Sequence, residues 1–128
     1  MSKTILIVED NAIHAALIKD VLEVKGFSAV HVSNGQEAHA LARDHRPGLI
    51  FMDIQLPGIS GVDLTSAIKA DDDLKDIPVI AVTAFASKKD EEKIRAAGCI
   101  EILTKPFSIP NLLETVARYL EDPAKPPS

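Results

Sequence analysis

Four short apolar runs punctuate the chain: Ile5-Leu6-Ile7-Val8, Leu49-Ile50-Phe51-Met52, Val79-Ile80-Ala81-Val82 and the less uniform Ile100-Glu101-Ile102-Leu103. Runs of this length predict strands, three of them covered on both faces. A fifth segment, residues 28–33, alternates, with Val30 and Val32 flanking His31, and predicts a half-exposed edge strand; Glu101 marks the opposite edge. Between the runs the apolar spacing becomes helical. Ile13, Leu17 and Val21, together with Leu22, predict a first helix closed by Gly26. A second starts at a Ser33 or Asn34 cap, with Gln36 placed for a capping box, turns Ala38, Leu41 and Ala42 inward, and stops before Pro47. The third follows Ser60 with Leu64 and Ile68 aligned, and the fourth covers about 87–97 before Gly98. The fifth is capped by Ser108 and buries Ile109, Leu113, Val116 and Leu120.

Strict alternation of strand and helix predicts a doubly wound α/β fold, because each right-handed crossover returns the chain to the same strand direction. With the second and fifth strands at the edges, a five-stranded parallel sheet in the order 2-1-3-4-5 satisfies the pattern. Its switch point lies between strands one and three, and ligands in such sheets bind at the carboxyl ends of the strands.

At 128 residues the chain is the size of one domain, expected over residues 1–121 without an appended output domain. Residues 122–128 contain three prolines and no apolar periodicity, which predicts an extended, mobile tail. The 14 basic and 19 acidic residues give a net charge of −5, which argues against a nucleic-acid partner. No apolar stretch approaches the ~20 residues that span a bilayer, and the first run is too short for a signal-peptide core. A cytoplasmic protein without membrane insertion is expected. Cys99, the single cysteine, is expected in the core.

The chemistry is sought just beyond the apolar runs. Strand one ends in Glu9-Asp10, strand three in Asp53, strand four in Thr83-Ala84 and strand five in Lys105-Pro106. Each has a commoner role by itself: an acidic helix entry, a turn cap, a strand-end hydroxyl, a solvated lysine. Their conjunction, at the ends of four of the five strands, points to a site. Three clustered carboxylates repel by up to ~4 kcal/mol per pair at an effective dielectric of 20 and call for a cation, and oxygen-only ligands favour Mg²⁺. Asp53, from the central strand, is the candidate nucleophile toward phosphorus. Lys105, the Thr83 hydroxyl and the Ala84 amide are then placed to neutralise phosphoryl oxygens. The tertiary amide of Pro106 makes a cis Lys105–Pro106 bond affordable. His14, His31, His39 and His45 lack metal-ligand spacing and are expected at the surface, and Asp71-Asp72-Asp73 is expected to be a solvated loop.

Val8-Glu9-Asp10-Asn11, residues 52–61 (MDIQLPGISG), Val82-Thr83-Ala84-Phe85-Ala86 and Thr104-Lys105-Pro106-Phe107 resemble the receiver domain of two-component response regulators. The resemblance covers essentially the whole chain. Asp71-Asp72-Asp73-Leu74, Asp76-Ile77-Pro78-Val79 and Gly98-Cys99 are most similar to the single-domain DivK-like type. The resemblance implies that Asp53 accepts a phosphoryl group from a sensor histidine kinase or histidine phosphotransfer protein. Glu9, Asp10, Asp53 and the Gln55 backbone carbonyl would hold Mg²⁺, while Thr83, Ala84 and Lys105 bind the phosphoryl group. It further implies a phosphoacceptor catalysing only its own phosphorylation and autodephosphorylation, at a rate tuned near Gln55 and Phe85, and signalling through protein contacts as a monomer or weak dimer.

One position departs from the family pattern. Many receivers carry Tyr or Phe three residues before the strand-five lysine, where ring rotation accompanies movement of the threonine; here it is Ile102. Two other classes compete. A haloacid-dehalogenase-type phosphatase needs a second acid two residues after its aspartate, where Gln55 stands and cannot protonate a leaving alkoxide. A flavodoxin-like mononucleotide binder needs a Gly/Ser/Thr-rich phosphate loop after strand one, where Glu9-Asp10-Asn11 stands.

Overall fold

The computed structural model describes residues 3–56, 58–84 and 87–120. The elements follow in strict alternation: β1 (Thr4–Val8), α1 (Ala12–Val24), β2 (Ser28–Val32), α2 (Gly35–His45), β3 (Leu49–Asp53), α3 (Gly61–Lys69), β4 (Val79–Thr83), α4 (Lys88–Ala97), β5 (Glu101–Thr104) and α5 (Ile109–Tyr119). The strands form one sheet, ordered β2-β1-β3-β4-β5, and every pairing is parallel. The expected fold class and strand order are both present. The tail expected from residue 122 lies outside the described residues.

Each of β1, β3 and β4 feeds two cores because its side chains alternate between faces. Ile5, Ile7, Leu49, Phe51, Ile80 and Val82 pack with α1 and α5, whereas Leu6, Val8, Ile50, Met52, Val79 and Ala81 pack beneath α2, α3 and α4. Cys99 is buried in the second core, as expected. Capping fixes where the helices begin. Asn34, rather than Ser33, caps α2 by accepting the Gln36 amide at 2.7 Å, and Ser60, Ser87 and Ser108 cap α3, α4 and α5. Helix α4 ends where Gly98 adopts φ 118°, a conformation with little steric cost only for glycine. α2 ends without glycine, at Arg46 with φ 45°, immediately before Pro47.

Two helices bury only part of the expected stripe: Leu22 of α1, Val116 of α5 and Leu120 are buried as expected, while the remaining positions differ. In α1 the buried residues are Ala15, Ile18 and Leu22, while Ile13 and Leu17 are 80% and 56% exposed. In α5 the buried residues are Leu112, Thr115 and Val116, with Leu120 just beyond, while Ile109 is 46% exposed and Leu113 only half-buried. The physical reason is the same in both. Each helix carries apolar residues on more than one face, and the small Ala15 and hydrogen-bonded Thr115 allow closer approach to the sheet than the larger side chains on the alternative stripe. Thr115 satisfies its hydroxyl on the Asn111 carbonyl at 2.8 Å. Leu41 of α2 is likewise half-buried rather than enclosed, whereas Ala38 and Ala42 are fully buried.

The acidic loop after α3 also differs from expectation. Asp71 is largely enclosed: its Oδ2 meets His39 Nε2 at 2.9 Å and Arg43 Nε at 3.2 Å, and Arg43 also reaches Asp73 at 3.5 Å. The hydrogen bond from His39, with that from the Asp73 amide and the Arg43 charge, holds the Asp71 carboxyl below its ordinary range. This loop is thereby tied to α2, and the expected solvated run is reduced to Asp72 and Asp73.

The burial pattern of α1 is testable by substitution. Leu22→Ala is expected to cost roughly 2–5 kcal/mol in chemical denaturation, and Leu17→Ala about 0.5 kcal/mol or less. The opposite ranking would place the Ile13-Leu17 stripe inward.

Candidate functional site

Four strands deliver their ends to one crevice at the carboxyl edge of the sheet. Glu9 directly follows β1; its amide donates to the Val32 carbonyl at 3.1 Å, prolonging the β1–β2 ladder by one residue. Asp53 is the last residue of β3, and Thr83 the last of β4. Lys105 follows β5, its amide donating to the Thr83 carbonyl at 2.8 Å, and its peptide bond to Pro106 is cis. Glu9, Asp53 and Thr83 are almost fully buried, whereas Asp10 and Ala84 are exposed at the mouth.

Lys105 links the acids. Its Nζ lies 3.2 and 3.3 Å from the two oxygens of Glu9 and 3.7 Å from Asp53 Oδ2. Asp53 Oδ1 accepts the Gln55 amide at 2.9 Å, which closes the first turn beyond β3. Across the crevice, Gln55 Oε1 meets the Ala84 amide at 3.4 Å. The β3–α3 loop is drawn back by a bond from the Gly61 amide to the Ile54 carbonyl at 3.2 Å. A Cβ on Gly61 would stand 2.4 Å from the Asp53 carbonyl oxygen, so the approach requires glycine.

Burial, reinforced by the neighbouring Glu9 charge, pushes the Asp53 carboxyl up to about 6 against the opposing pull of the Gln55 amide and Lys105. The crevice sets the three carboxylates of Glu9, Asp10 and Asp53 beside the Lys105 ammonium. Glu9, Asp10 and Asp53 can each offer an oxygen within 4.8 Å of the others, a hard, all-oxygen donor set that fits Mg²⁺.

The structure thus brings together Glu9, Asp10, Asp53, Gln55, Thr83, Ala84 and Lys105. Ile102 lies apart, half-buried on β5 against the α2/α3/α4 core. Phe85 and Pro57 lie outside the described residues. His14 and His45 are exposed as expected, whereas His31 and His39 are half-buried. His31 is half-buried with Nε2 2.7 Å from the Glu9 carbonyl oxygen, and His14 Nδ1 is 3.9 Å from Glu9 Oε1. The contact of His31 could not be assigned without the β1–β2 register, which aligns Val8 with Val32 and brings the end of β2 beside Glu9.

The response regulator receiver domain profile matches residues 5–117. The chain belongs to this family. Among curated receiver proteins, the chain is 52% identical over 122 residues to the polar-differentiation response regulator DivK of Brucella anthropi and 49% identical to that of Brucella ovis. Each alignment covers 95% of this chain and 99% of the relative. Among solved structures, the receiver fold is similar to the chemotaxis protein CheY4 of Vibrio cholerae, with a TM-score of 0.88, 26% identity, and coverage of 94% of this chain and 100% of that one. It is also similar to the receiver domain of the sensor histidine kinase PA1611 from Pseudomonas aeruginosa, with a TM-score of 0.84, 33% identity, and coverage of 93% and 98%. That structure has a magnesium ion coordinated in its active-site cleft. Receiver domains generally use Mg²⁺, and no helix among the described residues is long and apolar enough to cross a membrane.

The raised Asp53 pKa carries a stability consequence. The unfolded carboxyl titrates near 3.8 and the native one near 6, so between those values the native receiver holds more protons and loses stability as pH rises. Asp53→Asn is expected to raise the melting temperature at pH 7 in chelator by roughly 3–6 °C. The gain should shrink at pH 4 and on adding Mg²⁺; a melting temperature equal to wild type at pH 7 would contradict the assigned burial cost.

Proposed function

We propose that Asp53 is the phosphoacceptor, taking a phosphoryl group from a phosphohistidine on a sensor kinase or phosphotransfer protein. The observation that carries this reading is Lys105, whose ammonium lies near a buried Asp53 oxygen while anchored by Glu9. A carboxylate oxygen of Asp53 attacks phosphorus in line with the leaving imidazole. The P–O bond forms, the P–N bond breaks, and its electron pair returns to the histidine nitrogen. Lys105 receives one phosphoryl oxygen, and the Thr83 hydroxyl and Ala84 amide receive others, the latter exchanging Gln55 Oε1 for the incoming group. Mg²⁺ held by the carboxylates of Glu9, Asp10 and Asp53 and the Gln55 main-chain carbonyl would neutralise charge developing on those oxygens. Gln55 stands where a phosphatase of the dehalogenase type needs its second acid, which favours self-phosphorylation over turnover of small esters.

The donor must bring its histidine to this crevice. A groove of about 500 Å³ opens beside Lys105, between α1 and the start of α5, lined by Leu17, Val21, Phe107 and Ile109. Together with exposed Ile13, these apolar side chains offer a helical donor protein a seat contiguous with the reacting atoms. On the opposite side, β5 carries Ile102, paired with Ala81 two residues before Thr83, so movement of Thr83 toward the phosphoryl group has no aromatic ring to rotate with it. Coupling to the face formed by α4, β5 and α5 is accordingly altered.

Incubation with acetyl phosphate and Mg²⁺ is expected to add one phosphoryl group by mass to wild type and none to Asp53→Ala; a labelled Asp53→Ala would locate the acceptor elsewhere. Ile13→Lys with Leu17→Lys should lower the rate of transfer from a phosphorylated histidine protein at least about tenfold, while acetyl phosphate labelling stays unchanged. Equal transfer rates would remove α1 from the donor interface. For coupling, kinase affinity measured with and without a phosphoryl mimic should differ, and identical values would reject any link between Asp53 and the partner surface.

A further inference from the structure

Strand β2 contributes a side chain as well as its backbone to the acidic crevice. Pairing along β1 and β2 ends at Val8 and Val32, and the Glu9 amide extends it by one bond, to the Val32 carbonyl. In a parallel ladder the amide and carbonyl of one residue face the same neighbour, so the Glu9 carbonyl would next accept from the amide of residue 34. Asn34 is the N-cap of α2, where the chain turns out of the strand. His31 takes that carbonyl instead, with Nε2 at 2.7 Å. Because a carbonyl only accepts, the ring donates from Nε2.

The carbonyl so held belongs to the peptide that joins Glu9 to Asp10. That unit is planar, so its orientation dictates where the Asp10 backbone starts relative to Glu9. The Glu9 carboxylate is fixed separately, by Lys105 and by the Asn11 amide at 3.3 Å. Asp10 is exposed at the crevice mouth, and its placement therefore depends on the peptide plane.

We propose that His31 is a positioning residue: its hydrogen bond from the edge strand locks the Glu9–Asp10 peptide and thereby sets the spacing of the two carboxylates that receive a divalent cation. This rests on the assignment of Glu9, Asp10 and Asp53 as the Mg²⁺ ligands. His31 itself touches neither the ion nor the phosphoryl group.

The test is calorimetric titration of Mg²⁺ into the unphosphorylated full chain, with melting temperatures measured in chelator. His31→Leu is expected to weaken Mg²⁺ binding about tenfold, and His31→Gln, which keeps an N–H donor of similar reach, to recover most of the loss. Unchanged affinity in His31→Leu, whatever its melting temperature, would overturn the proposal by showing that the contact serves stability alone. Equal weakening in both variants would also overturn it, since ring shape rather than the hydrogen bond would then matter. If wild type binds no Mg²⁺, or Asp10→Asn binds as well as wild type, the ligand assignment fails beneath the proposal. Intact wild-type and Asp10 behaviour with an unaffected His31→Leu removes only the role of His31.

Discussion

The ammonium of Lys105 between two buried carboxylates is the constraint on which the molecule is organised. Glu9 and Asp53 come from neighbouring central strands and are nearly sealed from water, so each carries a desolvation cost that pairing only partly offsets. One lysine cannot neutralise both, and Asp10 adds a further negative charge at the mouth. The sheet holds the groups in that arrangement because its cores, one on each face, leave the three central strands no freedom to slide. Rigidity purchased by apolar packing is thus converted into electrostatic tension at the strand ends.

That tension accords with the chemistry. A carboxylate with few compensating partners gains more from a divalent ion and a phosphoryl group than one already satisfied, and the surrounding donors need little rearrangement to meet the new charge. With Asp53 as the proposed acceptor, activity and stability draw on the same side chain in opposite senses, as expected where a site departs from what the fold alone would favour.

Much of this was legible in the chain. The uninterrupted apolar runs marked the doubly covered strands, and because each candidate site residue lies one or two positions beyond an apolar run, locating the runs located Glu9, Asp53, Thr83 and Lys105. The order of strands followed from Glu101 and the alternation around His31. Side-chain direction on α1 and α5 was legible only in part: Leu22, Val116 and Leu120 face inward as expected, but four-residue spacing on α1 is satisfied equally by Ile13-Leu17-Val21 and by the Ile18-Leu22 stripe that faces the sheet. The roles of His31, His39 and Asp71 depend on contacts 22 to 32 residues apart in sequence, which spacing along one element cannot reveal. The sequence marks Gly61 only as part of the pattern after Asp53; its close approach to the Asp53 carbonyl is a product of the loop geometry.

Helix α1 divides its labour by side. Ala15, Ile18 and Leu22 anchor it to the sheet, whereas Ile13 and Leu17 project into solvent. On the proposed reading that this outward side seats the phosphoryl donor, substitutions there change whom the protein meets without disturbing how it stands. Duplicated copies of such a chain can drift apart in allegiance through a handful of residues while inheriting an unaltered reaction centre, which is a low-cost route to insulated signalling channels within one cell.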